Sequence, residues 1–119
     1  MNQTERVQRA TAIALAALDL KALELVALDV HEVTSVADTF ILVTGTSDRH
    51  SRAIADSVVD AVRASGEKPL GVEGYDEGRW VLIDLGDVIV HVFQSEVRAA
   101  YDLERLWCDA PPLELGAAA

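Results

Sequence analysis

The chain has 119 residues, half of them apolar and a quarter charged, with a formal charge of −10 at neutral pH. That length suffices for one domain whose core buries roughly 65% of the unfolded chain's surface without disulfides or metal, and Cys108, standing alone, excludes an internal disulfide framework and fits a reducing, cytoplasmic compartment. The excess of acid argues against nucleic acid as a direct ligand, because phosphate binding is driven by Lys and Arg displacing counterions; attraction to a basic protein surface, or solubility alone, is the use left for such charge.

No apolar run reaches the ~20 residues a membrane-spanning helix needs. From Thr4 to Leu18 there is neither Gly nor Pro, and Val7, Ala10, Ala14 and Leu18 recur at helical spacing, which predicts a first helix with one apolar stripe. Two arginines ahead of AIALAAL resemble the start of a secretory signal, but Asp19 and Lys21 follow without a small-residue cleavage site, so the helix reading stands. Leu23 to Val30 and Thr39 to Thr44 are short, continuous apolar runs of the kind found in strands covered on both faces. Gly45 breaks the second run, Ser47 or Asp48 caps a helix lined by Ile54, Val58, Ala61 and Val62, and Gly66 ends it. After Pro69 a short strand reaches Val72, and Glu73-Gly74 opens a polar loop through Gly78.

The stretch WVLIDLGDVIVHVFQSEVRAAYDLERLW, from Trp80 to Trp107, reads as a tight β-hairpin running into an amphipathic helix. Leu85-Gly86 is the expected turn; side-chain alternation groups Trp80, Leu82 and Asp84 on one face and Val81 and Ile83 on the other. A two-residue loop would place Trp80 opposite His91, a three-residue loop opposite Val92. Ser95 is the expected N-cap of the last helix, with Leu103, Leu106 and Trp107 inward and Arg98, Tyr101 and Arg105 on a neighbouring stripe. Ala110-Pro111-Pro112 stops the domain, giving a domain over residues 1–109 and a tail over 110–119 that is expected to be mobile.

Signals for chemistry are weak. Gly45-Thr46-Ser47 sits where a strand meets a helix N-terminus, a place that can hold phosphate, but it lacks the patterns of the known phosphate and dinucleotide loops, so a plain capped turn is the favoured reading. Asp84 and Asp87 flank the turn without an evident third ligand for a cation, and His31, His50 and His91 show no ligand spacing. His91, between two valines, reads as a satisfied sheet histidine, and Cys108 has no sequence-level base beside it. No catalytic residue, metal or cofactor is expected. Large aromatics dock partners with little loss of rotamer freedom but more often complete a core. For Trp107 the core reading wins; for Trp80, at the start of an edge-like strand, core and interface stand level.

Four segments, LVALDV, DTFILVTGTSDRH, PLGVEG and the stretch from Arg79 to Trp107, occur in an order that resembles the ribosomal silencing factor, or Iojap-related, family, and with the helices between them cover nearly everything to Asp109. The resemblance implies an α/β domain with a mixed, mainly five-stranded sheet packed by helices and a topology like that of nucleotidyltransferases. It also implies a protein that binds the large ribosomal subunit through ribosomal protein fourteen, blocks subunit joining and represses translation when nutrients are scarce. The implied contact surface includes Trp80 and Leu85 from the hairpin, supported by Asp84 and Asp87, with Arg98, Tyr101 and Glu104 from the adjoining helix. The rival expectation is a nucleotide-binding or nucleotidyltransferase-type enzyme, although the paired acids such enzymes carry one residue apart on a strand are absent. A homodimer using the same aromatic surface is a third expectation.

Overall fold

The computed structural model describes residues 2–115. Its elements run α1 (Gln3–Asp19), β1 (Leu23–Asp29), β2 (Thr39–Gly45), α2 (Asp48–Ala64), β3 (Gly71–Glu73), β4 (Trp80–Asp84), β5 (Val88–Gln94), α3 (Ser95–Tyr101) and α4 (Leu103–Leu106). The first helix starts one residue earlier than the apolar stripe suggested, because Asn2 and Glu5 form a reciprocal capping box that satisfies two otherwise unpaired backbone N–H groups.

The strands form one five-stranded sheet in the order β1-β2-β5-β4-β3. Strands β2 and β5 run parallel, and the other neighbours pair antiparallel, so the sheet is mixed as expected. Every residue of β2 is buried, which is why its apolar run does not alternate. Ile41 and Val43 of β2, with Val81, Ile83, Val90 and Val92, face α1 and α2, which contribute Ala10, Ile13, Ala17, Ile54, Val58 and Val62. On the opposite face Leu28, Phe40, Leu42, Ile89 and Phe93 meet Val97, Leu103 and Ala110 from the segment after β5. That cover is short. Trp80 and Leu82 sit at its margin, half-buried.

The hairpin turns one residue later than expected. Leu85 N–H donates to the Val88 carbonyl at 2.9 Å, so the loop is Gly86-Asp87, with Gly86 at φ +89°. Trp80 therefore pairs with Phe93, not with His91 or Val92. Three contacts fix this register: Leu85 is drawn into the helix-side core, the Asp84 carboxylate accepts from Gly86 N–H, and Asp87 is held by Arg9 of α1 at 3.2 Å. Strand β4 also lies inside the sheet, since β3 covers its outer side.

The last helix is broken. Asp102 adopts a left-handed conformation (φ +45°), and the chain changes direction between α3 and α4. Leu106 is consequently 69% exposed and Arg98 buried, the reverse of what a single straight helix would give, and Ser95 begins α3 while Gln94 takes the cap position without a side-chain bond.

The domain does not stop at Asp109. Asp29 N–H donates to the Pro111 carbonyl and Leu113 N–H to the Ala27 carbonyl, both at 2.8 Å, and Leu113 is buried. The segment through Leu115 thus lies along the free edge of β1, giving its backbone groups partners that an open edge would lack; residues 116–119 of the expected tail lie outside the described residues.

Candidate partner-binding site

Trp80 stands at the centre of a cluster of rings on the partly covered face of the sheet. Its ring centroid lies 4.7 Å from that of Tyr101, 5.7 Å from Phe93 and 6.0 Å from His91. His91 meets the edge of Phe40 at 5.4 Å, and Phe40 meets Trp107 at 5.2 Å. Strand alternation supplies the inner rings from β2, β4 and β5; Tyr101 at the end of α3 packs on Trp80, and Trp107, just past α4, packs on Phe40. The core reading of Trp80 is met in part: the indole packs on the neighbouring rings yet stays half-buried, with part of its surface open. Trp107 packs on Phe40, as the core reading held.

Two hollows flank the indole. One, of about 230 Å³, is lined by Gly74, Glu77, Arg79, Trp80, Val97 and Tyr101. The other, of about 230 Å³, is lined by Glu73, Gly74, Trp80 and Leu82 and is mostly apolar. The loop from Gly74 to Gly78 is folded tightly back on β4. A Cβ on Gly74, which has φ +78°, would sit 2.0 Å from the Trp80 carbonyl oxygen, so only glycine lets the loop close here. Acidic Glu73, Asp76 and Glu77 on and beside this loop are exposed.

The expected contact residues do not all reach this surface. Trp80 and Tyr101 do, and Tyr101 is 60% exposed; Asp84 lines neither hollow, and its half-buried carboxylate accepts from Gly86 N–H at the hairpin turn. Leu85 points into the core beneath α1 and α2, and cannot bury new apolar area against a partner. Arg98 is buried, donating to Glu104 at 2.9 Å, to the Glu24 carbonyl at 2.8 Å and to Thr44 Oγ1 at 2.9 Å. Glu104 is exposed but occupied by Arg98, and Asp87 is occupied by Arg9. Leu82, Arg79 and Val97 line the hollows although the sequence reading assigned them no contact. For Leu82 the signal was present, since alternation already placed it on Trp80's face.

His91 is not the satisfied sheet histidine expected. Trp80 Nε1–H donates to His91 Nδ1 at 3.2 Å, so in the neutral ring the proton sits on Nε2, which is buried without a hydrogen-bond partner. Burial pushes the imidazole from 6.5 down to about 4. The unfolded chain binds a proton in that interval that the folded chain excludes. The histidine's contribution to stability is therefore complete above about pH 6.5 and is lost as pH falls towards 4. Between pH 7.5 and 4.5 the native protein is expected to lose about 2 kcal/mol more stability than His91→Phe, measured by urea unfolding at both values.

The phosphate-loop geometry at Gly45-Thr46-Ser47 is already spent on the fold. Ser47 Oγ accepts from His50 N–H at 3.0 Å, Thr46 N–H donates to His50 Nδ1 at 2.9 Å, and His50 Nε2–H donates to the Leu20 carbonyl at 2.7 Å. A Cβ on Gly45 would lie 2.4 Å from Ser51 Oγ and 3.1 Å from the Ser51 backbone, because α2 starts hard against the end of β2. Gly45→Ala is expected to cost about 2 kcal/mol through this overpacking, read from the urea midpoint. Among the described residues no group of three or more His, Cys, Asp and Glu side chains could hold a metal ion, and no helix is long and apolar enough to cross a membrane.

Comparison with known proteins matches this arrangement to one family. Residues 3–118 match the family described as ribosomal silencing factor during starvation. The chain is 44% identical over 115 residues to the ribosomal silencing factor RsfS of Bacillus subtilis, covering 97% of this chain and 95% of that protein. A crystal structure of a Chromobacterium violaceum protein superposes with a TM-score of 0.84 at 37% identity, covering 99% of this chain and 97% of that one. Another, from Bacillus halodurans, gives a TM-score of 0.80 at 39% identity over 90% of this chain and 97% of that one. The likeness thus spans nearly the whole chain, and the chain belongs to the ribosomal silencing factor family.

Proposed function

We propose that this protein silences the large ribosomal subunit by docking on it through ribosomal protein fourteen and keeping the small subunit from joining. The observation that carries this reading is the half-open ring cluster: Trp80, flanked by two hollows and by exposed Tyr101, is a rigid anchor with apolar area still to bury. Leu82 lengthens the apolar centre, and Glu73 and Glu77 form an acidic rim suited to the basic groups of a ribosomal protein.

In this reading the function needs no bond to be made or broken. The wedge works by occupying space, so its strength follows from affinity and from the position of the contact. The acidic rim and the formal charge of −10 steer encounter with a basic surface, while the buried rings set how long the complex lasts. Leu85 and Arg98 act from beneath, the first fixing the hairpin register and the second fixing α3. Asp87 and Glu104 likewise serve the fold through Arg9 and Arg98.

Co-sedimentation with isolated subunits tests the reading. The protein is expected to pellet with the large subunit and not with the small one. Equal recovery with both, or with neither, would reject it. The cytoplasm, where subunits meet, is the site of action in this proposal.

A further inference from the structure

His91 occupies a position that the surrounding pattern assigns to a hydrocarbon. On its face of the sheet the neighbours are Leu42 across β2, Leu82 across β4, and Phe93 along its own strand. It is 6% exposed, its ring packs edge-on to Phe40, and its Nε2–H is left without a partner, a cost that leucine or phenylalanine would not carry. In return its Nδ1 holds the indole N–H of Trp80, which sits diagonally across the β4–β5 ladder. The other groups around the indole, Phe93 and Tyr101, offer ring contacts and set no rotation about its N–H.

Resting on the docking role proposed for Trp80, we infer that His91 is a positioning residue, locking the indole in the orientation that presents its free side to the partner before contact is made. A half-exposed tryptophan packed only by rings could turn or tilt within its hollow, and a partner would then have to order it on binding. One directional hydrogen bond from below removes that freedom while leaving the outer side of the ring unobstructed. The orphaned Nε2–H is the consequence of choosing an imidazole, which supplies a flat ring for the cluster and an acceptor at one edge.

The test uses the full chain and two readouts. Hydrogen exchange of the Trp80 indole N–H, assigned in the NMR spectrum with Trp107→Phe, reports its order in the free protein. Affinity for purified large subunits reports docking. His91→Phe keeps a ring of similar size and removes the acceptor; it is expected to fold, to speed indole exchange at least tenfold, and to weaken binding about fivefold to tenfold. His91→Asn, whose side-chain oxygen can stand near the former Nδ1, is expected to recover slow exchange and part of the affinity. Unchanged exchange in His91→Phe, or a freed indole with undiminished affinity, would overturn the positioning role. Trp80→Ala run alongside separates the two ideas: if it weakens binding and His91→Phe does not, only the positioning role falls, whereas if neither changes affinity the docking surface itself is wrong.

Discussion

Trp80→Ala is expected to weaken binding to the large subunit by about thirtyfold, equivalent to about 2 kcal/mol, with most of the change in the dissociation rate. The half-buried indole lines both hollows, so its removal takes away the wall they share. Because Trp80 also packs on Phe93 and Tyr101, the substitution will lower stability, and circular dichroism with urea unfolding must show a folded protein before affinity is compared. Tyr101→Ala offers a cleaner check. At 60% exposure it contributes little to the core, so a loss of affinity with nearly unchanged stability is expected. Calorimetry that finds both folded variants binding like the native protein would remove the ring cluster from the interface.

Arg98→Ala is expected to have the largest effect on the fold, about 3 kcal/mol. Its guanidinium joins three elements: it donates to Glu104 on α4, to Thr44 Oγ1 at the end of β2, and to the carbonyl of Glu24 in β1. Glu24 has φ +51° and lies where the β1–β2 register slips, so Arg98 is what satisfies the irregular start of that strand. The guanidinium also lies 5.6 Å from the Phe93 ring centroid. Removing it leaves the Glu24 carbonyl and the Thr44 hydroxyl without that donor beside a void, while Glu104, already exposed, can return to water. Lysine should recover little, since a single ammonium cannot reproduce the forked geometry. Urea unfolding is the measurement, and a loss below about 1 kcal/mol would mean that water replaces the network at little cost.

The elements were legible in the sequence wherever a local pattern decided them. The unbroken apolar run of β2, the choice of Ser47 or Asp48 as the cap of α2, which the structure resolves to Ser47, and the alternation in β4 place these elements and the faces they bury. The errors lie where a distant residue decides. The hairpin register depends on Arg9 taking Asp87, which is 78 positions away. The break at Asp102 depends on the tertiary setting of α3, where Arg98 is pulled inward towards Glu24 and Thr44. A helical wheel treats Arg98 as a surface cation because it contains no information about a partner on β1.

The same limit applies to the site. Trp80 stood out by its size and place in the chain, but Tyr101 becomes its neighbour only when α3 folds back over the sheet, and the bond to His91 follows only from the observed hairpin register. Leu85 looked like a contact because it neighbours the turn, whereas strand parity sends it to the other face once the loop is Gly86-Asp87. The tail misled for a related reason: two prolines announce the end of a helix, yet the carbonyl of Pro111 remains free to accept from the edge of β1.

Subunit joining measured directly is the decisive experiment. Purified large subunits, preincubated with this protein and then mixed with small subunits, should sediment as separate particles in proportion to the amount added, and Trp80→Ala should restore joined ribosomes at the same concentration. Full joining at saturating occupancy of the large subunit would contradict the account, because a bound wedge that leaves the other half free to dock obstructs nothing.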